Sequence, residues 1–144
     1  MKTLTILAFL LDQACKFWVN KNLKEDESRK FLTPKLNLTN VKNRGMAFGA
    51  FSDNRKLLHV FSAIGLICLL SEYKNAKDTT AKAVVALMAG GGLSNIYDRI
   101  TRGCVTDYMY FESKKQTPIF NLADVFILIG TLIRLGSYFT AKKG

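Results

Sequence analysis

The sequence has few of the side chains that usually bind metals. Its only histidine is His59, and its three cysteines, Cys15, Cys68 and Cys104, lie far apart rather than in pairs. Zinc sites are built from cysteine and histidine ligands, commonly at short paired spacings. We therefore expect no metal site, no other cofactor and no metalloenzyme.

Internal repeats and low-complexity tracts are also lacking. The length of 144 residues suits one domain and is short for two of ordinary size. We therefore expect a single domain over residues 1–144.

Acidic residues are scarce: 11 Asp and Glu stand against 21 Lys and Arg, which gives a formal net charge of +10. Such a balance can indicate nucleic-acid binding, but no RNA- or DNA-binding motif accompanies it, and the basic residues flank apolar segments. Anionic lipid headgroups are the expected partners instead, and no nucleic acid is expected.

Apolar residues make up 49% of the chain and cluster in four segments, at about residues 3–18, 57–73, 83–100 and 119–140. A membrane-spanning helix needs about 20 such residues, with about 17 as a lower limit. A soluble helical bundle is the alternative. However, the segment LLHVFSAIGLICLL at residues 57–70 is apolar on nearly every side, which favours lipid over a water-facing stripe. We predict an all-α membrane protein with four transmembrane helices.

The first apolar segment could be mistaken for the cleaved signal peptide of a lipoprotein, because it reaches Cys15. Asp12 and Gln13 occupy positions where such a cleavage box needs an apolar and a small residue. We therefore expect a retained first helix.

Basic residues in the short loop 74–82 and at the termini favour a cytoplasmic location for both ends, although the first loop, 19–56, carries more basic residues in total.

Two short segments between the apolar ones have the character of strands. Residues 36–41 alternate in polarity and precede the turn signal Asn43-Arg44-Gly45, and Val105–Phe111 is the second candidate. We expect them to pair into a small sheet at the membrane surface.

Several polar side chains lie in or beside the apolar segments, where each ionised group costs about 2.5–3.5 kcal/mol at a helix centre. They are Asp12, Lys16, Asn95, Asp98, Arg99, Asp107, Asn121 and Asp124. Asp12 and Lys16 are four residues apart and therefore share one helix face. They could form a structural ion pair or support an active site, and their spacing leaves both interpretations open. Asp98 and Arg99 share a face with Asn95, and we interpret both as supports of a site.

Asp107 in the third loop and Asp124 at the start of the fourth segment supply two carboxylates from different parts of the chain. If they meet in a low-dielectric site, one keeps a proton and the other acts as a base. Such a pair can activate water and protonate a leaving amine, as in aspartic proteases. A proton- or ion-coupled transport path is the alternative.

The order of motifs along the chain resembles that of the lipoprotein signal peptidases, also called signal peptidase II. The motifs are Asp12-Gln13-x-x-Lys16, Asn43-x-Gly45-x-Ala47-Phe48, Gly90-Gly91-x-x-x-Asn95-x-x-Asp98-Arg99-x-x-x-Gly103-x-Val105-x-Asp107 and Phe120-Asn121-x-Ala123-Asp124. Each motif alone is weak, but together they span nearly the whole chain in order.

This resemblance implies a four-transmembrane-helix bundle with a small extracytoplasmic β-cradle, placed in the bacterial cytoplasmic (inner) membrane with both termini cytoplasmic. It implies an intramembrane aspartyl endopeptidase, expected to be a monomer, that cleaves diacylglyceryl-modified prolipoproteins just before the lipidated cysteine. Asp107 and Asp124 match the catalytic aspartates. The matches to substrate-binding or supporting positions are Asp12, Lys16, Asn43, Gly45, Asn95, Asp98, Arg99, Asn121 and Ala123.

Two residues depart from the family pattern: Ser94 stands where glycine is usual and Tyr108 where phenylalanine is common. We expect Ser94 to affect helix packing more than chemistry, and Tyr108 to add a hydroxyl at the edge of the site.

Ser94 and the charged first loop also motivate a different hypothesis, a catalytically idle paralogue that binds lipidated signal peptides or serves in a membrane complex. A presenilin-type protease is disfavoured because its Gly-x-Gly-Asp motif is absent.

Overall fold

The computed structural model describes residues 2–45, 55–76, 78–113 and 117–141. In chain order these residues form α1 (Lys2–Asn22), β1 (Ser28–Phe31), β2 (Thr33–Asn43), α2 (Arg55–Asn75), α3 (Thr79–Arg102), β3 (Val105–Phe111) and α4 (Leu122–Ala141). The four helices coincide with the four predicted apolar segments, so the mainly helical architecture is confirmed.

Helix α3 lies at the centre and packs against α1, α2 and α4. Two adjacent glycines allow this close approach. A Cβ atom on Gly90 would lie 2.5 Å from the Thr5 carbonyl oxygen of α1, and one on Gly91 would lie 2.7 Å from the Ala123 carbonyl oxygen of α4. Small residues let helix backbones pack this tightly. As a result, the polar C-terminal half of α3 lies between α1 and α4.

The strands form an antiparallel sheet in the order β1-β2-β3. The pairing of β2 with β3 runs from Asn43 opposite Val105 to Leu36 opposite Phe111, with an irregularity between Leu38 and Val41. The predicted pairing of the two strand candidates is therefore confirmed. Strand β1 was missed because its sequence, SRKF, lies in a charged stretch, and all four of its residues are exposed.

The sheet is anchored to α1 by a small apolar cluster of Val19, Leu23, Leu38 and Tyr108. Next to it, Phe120 pairs with Met109 in an isolated antiparallel bridge. The fourth apolar segment was predicted at about residues 119–140, and the helix within it, α4, begins at Leu122. Phe120 instead pairs with β3 and brings the first turn of α4 to the sheet.

Apolar side chains cover much of the outside of the helices, whereas polar ones lie between them. Examples that are more than half exposed are Leu10, Phe17, Ile67, Leu132 and Phe139. Among the described helices, α4 is long and apolar enough on its own to cross a membrane, with a mean hydropathy of 1.6 over Leu122–Thr140. Charged residues such as Asp12 and Lys16 in α1 and Asp98 in α3, which lie buried inside the bundle, lower the mean hydropathy of their helices.

Candidate active site

A buried ion cluster joins α1 to α3. The Lys16 ammonium lies 2.7 Å from Asp12 and 2.9 Å from Asp98, and all three side chains are fully buried. Arg102 adds a second cation, 2.5 Å from Asp98. Buried charges are tolerated when they are paired and hydrogen bonded, and here two cations meet two anions. The Asp12–Lys16 ion pair, one of the two interpretations that their spacing left open, is present and extends to Asp98.

The next layer is the N-terminus of α4, where Asn121 and Asp124 cap the helix reciprocally. Asn121 Oδ1 accepts a hydrogen bond from the Asp124 backbone N–H at 3.0 Å, and Asp124 Oδ2 accepts one from the Asn121 backbone N–H at 3.1 Å. This is the geometry of a capping box, in which the residue before the helix and the third residue of its first turn satisfy each other's N–H groups. The cap fixes the orientation of the Asp124 carboxylate.

Two other side chains complete this helix end. The Tyr108 hydroxyl accepts a hydrogen bond from the Leu122 N–H at 3.0 Å, and Asp12 Oδ1 accepts one from the Ala123 N–H at 3.2 Å. The first three N–H groups of α4 therefore all meet side-chain oxygens. An anion at a helix N-terminus is also favoured by the helix dipole.

Asp107 on β3 is buried and is held by two amides. Its Oδ1 accepts a hydrogen bond from Asn121 Nδ2 at 2.7 Å, and its Oδ2 accepts one from Asn43 Nδ2 at 2.8 Å. Burial raises the pKa of Asp107 to about 6; the Asn43 and Asn121 amides oppose this rise, and the nearby charge of Asp124 adds to it.

Asn95 and Asn121 link the two carboxylates. Asn121 Nδ2, which binds Asp107, also donates to Asn95 Oδ1 at 3.2 Å, and Asn95 Nδ2 donates to Asp124 Oδ1 at 2.9 Å. Asn95 Oδ1 accepts a further hydrogen bond from Lys16 at 2.8 Å. The two predicted catalytic residues thus belong to one buried network that is tied to the ion cluster.

Arg99 and Gly45 lie at the border of this network. An Arg99 Nη2 atom is 3.5 Å from the Gly45 carbonyl oxygen, and the Gly45 N–H donates to Asn43 Oδ1 at 2.9 Å. The buried Arg99 Nε has no hydrogen-bond partner among the residues that the structure describes. Ala47 and Phe48 of the same sequence motif lie outside the described residues.

All eleven residues singled out from the sequence therefore lie in or beside one hydrogen-bonded region. The sequence reading underestimated Ser94, which is fully buried and whose hydroxyl donates to Asp12 at 2.6 Å. Gln13 was quoted in the first motif but given no role, and its amide donates to Ser94 Oγ at 2.8 Å and to Asp98 at 3.1 Å. Its place in that motif, next to Asp12 on α1, is the signal that could have indicated this role.

The sequence matches a family model described as signal peptidase (SPase) II over residues 4–140. A lipoprotein signal peptidase of Shewanella piezotolerans is 37% identical over 147 residues, covering 96% of this chain and 86% of its own length. One of Halothermothrix orenii is 35% identical, covering 89% of this chain and 87% of its own length.

The fold is also similar to that of solved proteins. A structure described as a bacterial membrane enzyme at 2.3 Å resolution has a TM-score of 0.88 and 24% identity, with 97% of this chain and 87% of that chain covered. A second, described in the same words at 1.9 Å resolution, has a TM-score of 0.79.

The match to the family model disfavours the hypothesis of a catalytically idle paralogue. This chain belongs to the signal peptidase II family, the lipoprotein signal peptidases, and is an aspartic peptidase of that type.

Proposed function

We propose that this protein is an intramembrane endopeptidase that removes the signal peptide from diacylglyceryl-modified prolipoproteins by cleaving just before the lipidated cysteine. Asp107 and Asp124 are its catalytic pair. The observation that carries the proposal is the Asn121 side chain, which binds the Asp107 carboxylate and at the same time caps the helix turn that bears Asp124. A buried acid on β3 and a half-buried acid on α4 are thereby tied to a single amide.

This arrangement suits acid–base cleavage of a peptide bond. A carboxylate with a pKa of about 6, as for Asp107, can exchange a proton near neutral pH. Two neighbouring carboxylates share one proton more readily than they carry two charges. One then removes a proton from the attacking water, and the other protonates the amine that leaves.

The surrounding residues have separate tasks in this proposal. Asn43, Asn95 and Asn121 hold the carboxylates through amide donors, which leaves the remaining lone pairs of the acids to water and substrate. The buried Nε of Arg99 has no hydrogen-bond partner within the described part of the chain, so Arg99 is placed to donate to a carbonyl of the bound peptide. The ion cluster of Asp12, Lys16 and Asp98 anchors α1 to α3 behind the site.

The distribution of polarity supports placement of the four helices across the bacterial cytoplasmic membrane. Apolar residues face outward on α1, α2 and α4, and the lipid-soluble part of the proposed substrate would approach through the same apolar surroundings. The sheet lies at the end where α3 stops and α4 starts, so we place it outside the membrane as a cradle, with both termini cytoplasmic. We further propose that residues 1–144 act as one domain and as a monomer, with prolipoproteins and membrane lipids as partners.

The proposed activity can be tested with the purified full chain in lipid nanodiscs. The substrates are a diacylglyceryl-modified prolipoprotein and the same precursor without lipid. We expect cleavage of the lipidated form alone, with mass spectrometry showing a product that begins at the lipidated cysteine. Equal cleavage of both precursors, or cleavage at another bond, would contradict the proposal.

A further inference from the structure

Asp12 receives hydrogen bonds from four directions. Its Oδ2 binds the Lys16 ammonium at 2.7 Å and the Ser94 hydroxyl at 2.6 Å. Its Oδ1 binds the Tyr108 hydroxyl at 3.1 Å and the Ala123 N–H of α4 at 3.2 Å. The two departures from the family pattern, Ser94 and Tyr108, therefore converge on opposite oxygens of the same fully buried carboxylate.

Tyr108 connects three elements through one oxygen atom. It follows Asp107 on β3, and successive strand residues point to opposite faces, so its ring lies with Val19 and Leu38 of the apolar cluster. Its hydroxyl donates to Asp12 and accepts from the Leu122 N–H. Burial raises the pKa of Tyr108 well above its usual range, so the hydroxyl keeps its proton and acts as a fixed link.

Ser94 fixes the other side of Asp12. Its single proton is donated to Asp12 Oδ2, and its oxygen accepts a hydrogen bond from the Gln13 amide at 2.8 Å. Both Asp12 oxygens are thus restrained by hydroxyls from different elements, α3 and β3. Because Asp12 and Tyr108 together hold the first two N–H groups of α4, the restraint reaches the turn that carries Asp124.

We propose that the Ser94 and Tyr108 hydroxyls are positioning groups, which act through Asp12 to hold the first turn of α4 and thereby set the orientation of Asp124 towards Asp107. This inference rests on the proposed function, since it assumes that Asp124 takes part in cleavage. Neither hydroxyl touches the substrate in this account. Their loss should therefore impair the chemical step rather than substrate binding.

The test uses Ser94→Ala, Tyr108→Phe and the double variant as full chains in nanodiscs with a lipidated prolipoprotein. The matched controls are Tyr110→Phe on the same strand and Ser137→Ala, whose hydroxyl binds backbone carbonyls of its own helix. Each single variant should lower kcat about tenfold, as expected for loss of one contact in a coupled network. KM should stay within about twofold of the wild-type value. The acid limb of the pH–rate profile should shift, because the separation of the two catalytic acids has changed.

The double variant distinguishes action through a shared carboxylate from two separate effects. If both hydroxyls act through Asp12, the double variant should be no more than about threefold slower than the slower single variant, because contacts in one network are not additive. If the losses in kcat of the two single variants multiply in the double variant, the two hydroxyls do not act through the same Asp12 carboxylate. A normal kcat in both single variants, or failure of both to accumulate as folded protein, would overturn the proposal.

Failure of this inference can be told apart from failure of the proposed function. If the wild type cleaves the lipidated substrate and Asp124→Asn does not, the proposed function stands. Unchanged kcat and pH profiles in the Ser94 and Tyr108 variants would then refute the positioning role alone.

Discussion

Asn121 donates a hydrogen bond from its Nδ2 to Oδ1 of Asp107 at 2.7 Å, although Asn121 precedes α4 and Asp107 lies in the middle of β3. The other end of the same amide accepts a hydrogen bond from the Asp124 backbone. One short side chain therefore relates the sheet to the helix end. Asn121 therefore links the strand that carries Asp107 directly to the helix turn that carries Asp124.

Replacing Asn121 with alanine should disable the site and weaken the fold. The change leaves buried partners of the amide unsatisfied, which costs about 1–3 kcal/mol, and frees Asp107 to move relative to Asp124. A displacement of this kind can lower the rate about 100-fold. Cleavage kinetics and thermal unfolding in detergent measure both effects. The control is Asn22→Ala at the exposed end of α1, which should behave as the wild type. Normal kcat for Asn121→Ala would contradict the linking role.

The activity should depend on pH through Asp107. With a pKa raised from 3.8 to about 6, Asp107 holds the shared proton below that value, so kcat/KM should fall as the pH rises above about 6 and this proton is lost. The Asn43 amide stabilises the charged form. Asn43→Ala should therefore raise the pKa of Asp107 further and move this basic limb to higher pH. A limb that stays in place, or moves to lower pH, would show that Asn43 does not hold the Asp107 charge.

The same shift predicts how stability changes with pH. Because the folded pKa of Asp107 lies above the unfolded value of 3.8, the folded state binds the extra proton between pH values of about 4 and 6. The contribution of Asp107 to the free energy of unfolding is therefore lost as the pH rises through this window. Thermal unfolding measured from pH 4 to 7, relative to the Asp107→Asn variant, isolates this contribution. A contribution that grows with pH would contradict the raised pKa.

The glycines of α3 give a prediction about packing. A methyl group on Gly91 would press on the Ala123 backbone at the start of α4, and overpacking of this kind costs about 1–3 kcal/mol. Gly91→Ala should lower both the unfolding temperature and the cleavage rate. Gly65→Ala in α2 is the matched control, because none of the residues that the structure describes lies within 4 Å of its Cβ position, and it should stabilise the helix by up to about 1 kcal/mol. Equal effects at the two positions would contradict the close contact of α3 with α4.

Lys16 should be essential for folding. Lys16→Met preserves much of the side-chain volume but leaves Asp12 without its ion-pair partner and Asp98 with Arg102 alone. Breaking a buried ion pair from one side costs about 3–5 kcal/mol, so little folded protein should accumulate in membranes. Lys21→Met on the exposed end of the same helix should accumulate normally. Wild-type stability of Lys16→Met would show that the buried cluster is dispensable.

Much of the fold was predictable because the decisive signals are local. Four long apolar segments became helices, the alternating residues 36–41 lie within β2, and the second strand candidate, Val105–Phe111, coincides with β3. The failures have physical reasons. Strand β1 has no buried face and forms because β2 offers a free edge for pairing. Phe120 is apolar like the helix that follows, and only its pairing with Met109 shows that it is extended rather than helical.

The sequence predicted which residues form the site better than it predicted which of them contact each other. Spacing on a helix placed Asp12 beside Lys16, but no local pattern shows that Asn121 reaches Asp107 on a strand. The hydroxyl of Tyr108 was expected at the edge of the site. Tyr108 instead lies on the opposite face of β3 from Asp107. Its ring packs in the apolar cluster, and its hydroxyl donates a hydrogen bond to Asp12. Contacts of this kind depend on how the helices are arranged against the sheet, which the sequence does not encode locally.

The rate at which Asp107→Asn and Asp124→Asn cleave a lipidated prolipoprotein shows whether these two acids are the catalytic pair, provided that both variants insert and unfold like the wild type. The control is Asp26→Asn, whose backbone φ of 62° suits asparagine as well as aspartate. We expect no detectable cleavage by either site variant and a normal rate for the control. Wild-type cleavage by Asp107→Asn or by Asp124→Asn would contradict the assignment of these two acids as the catalytic pair.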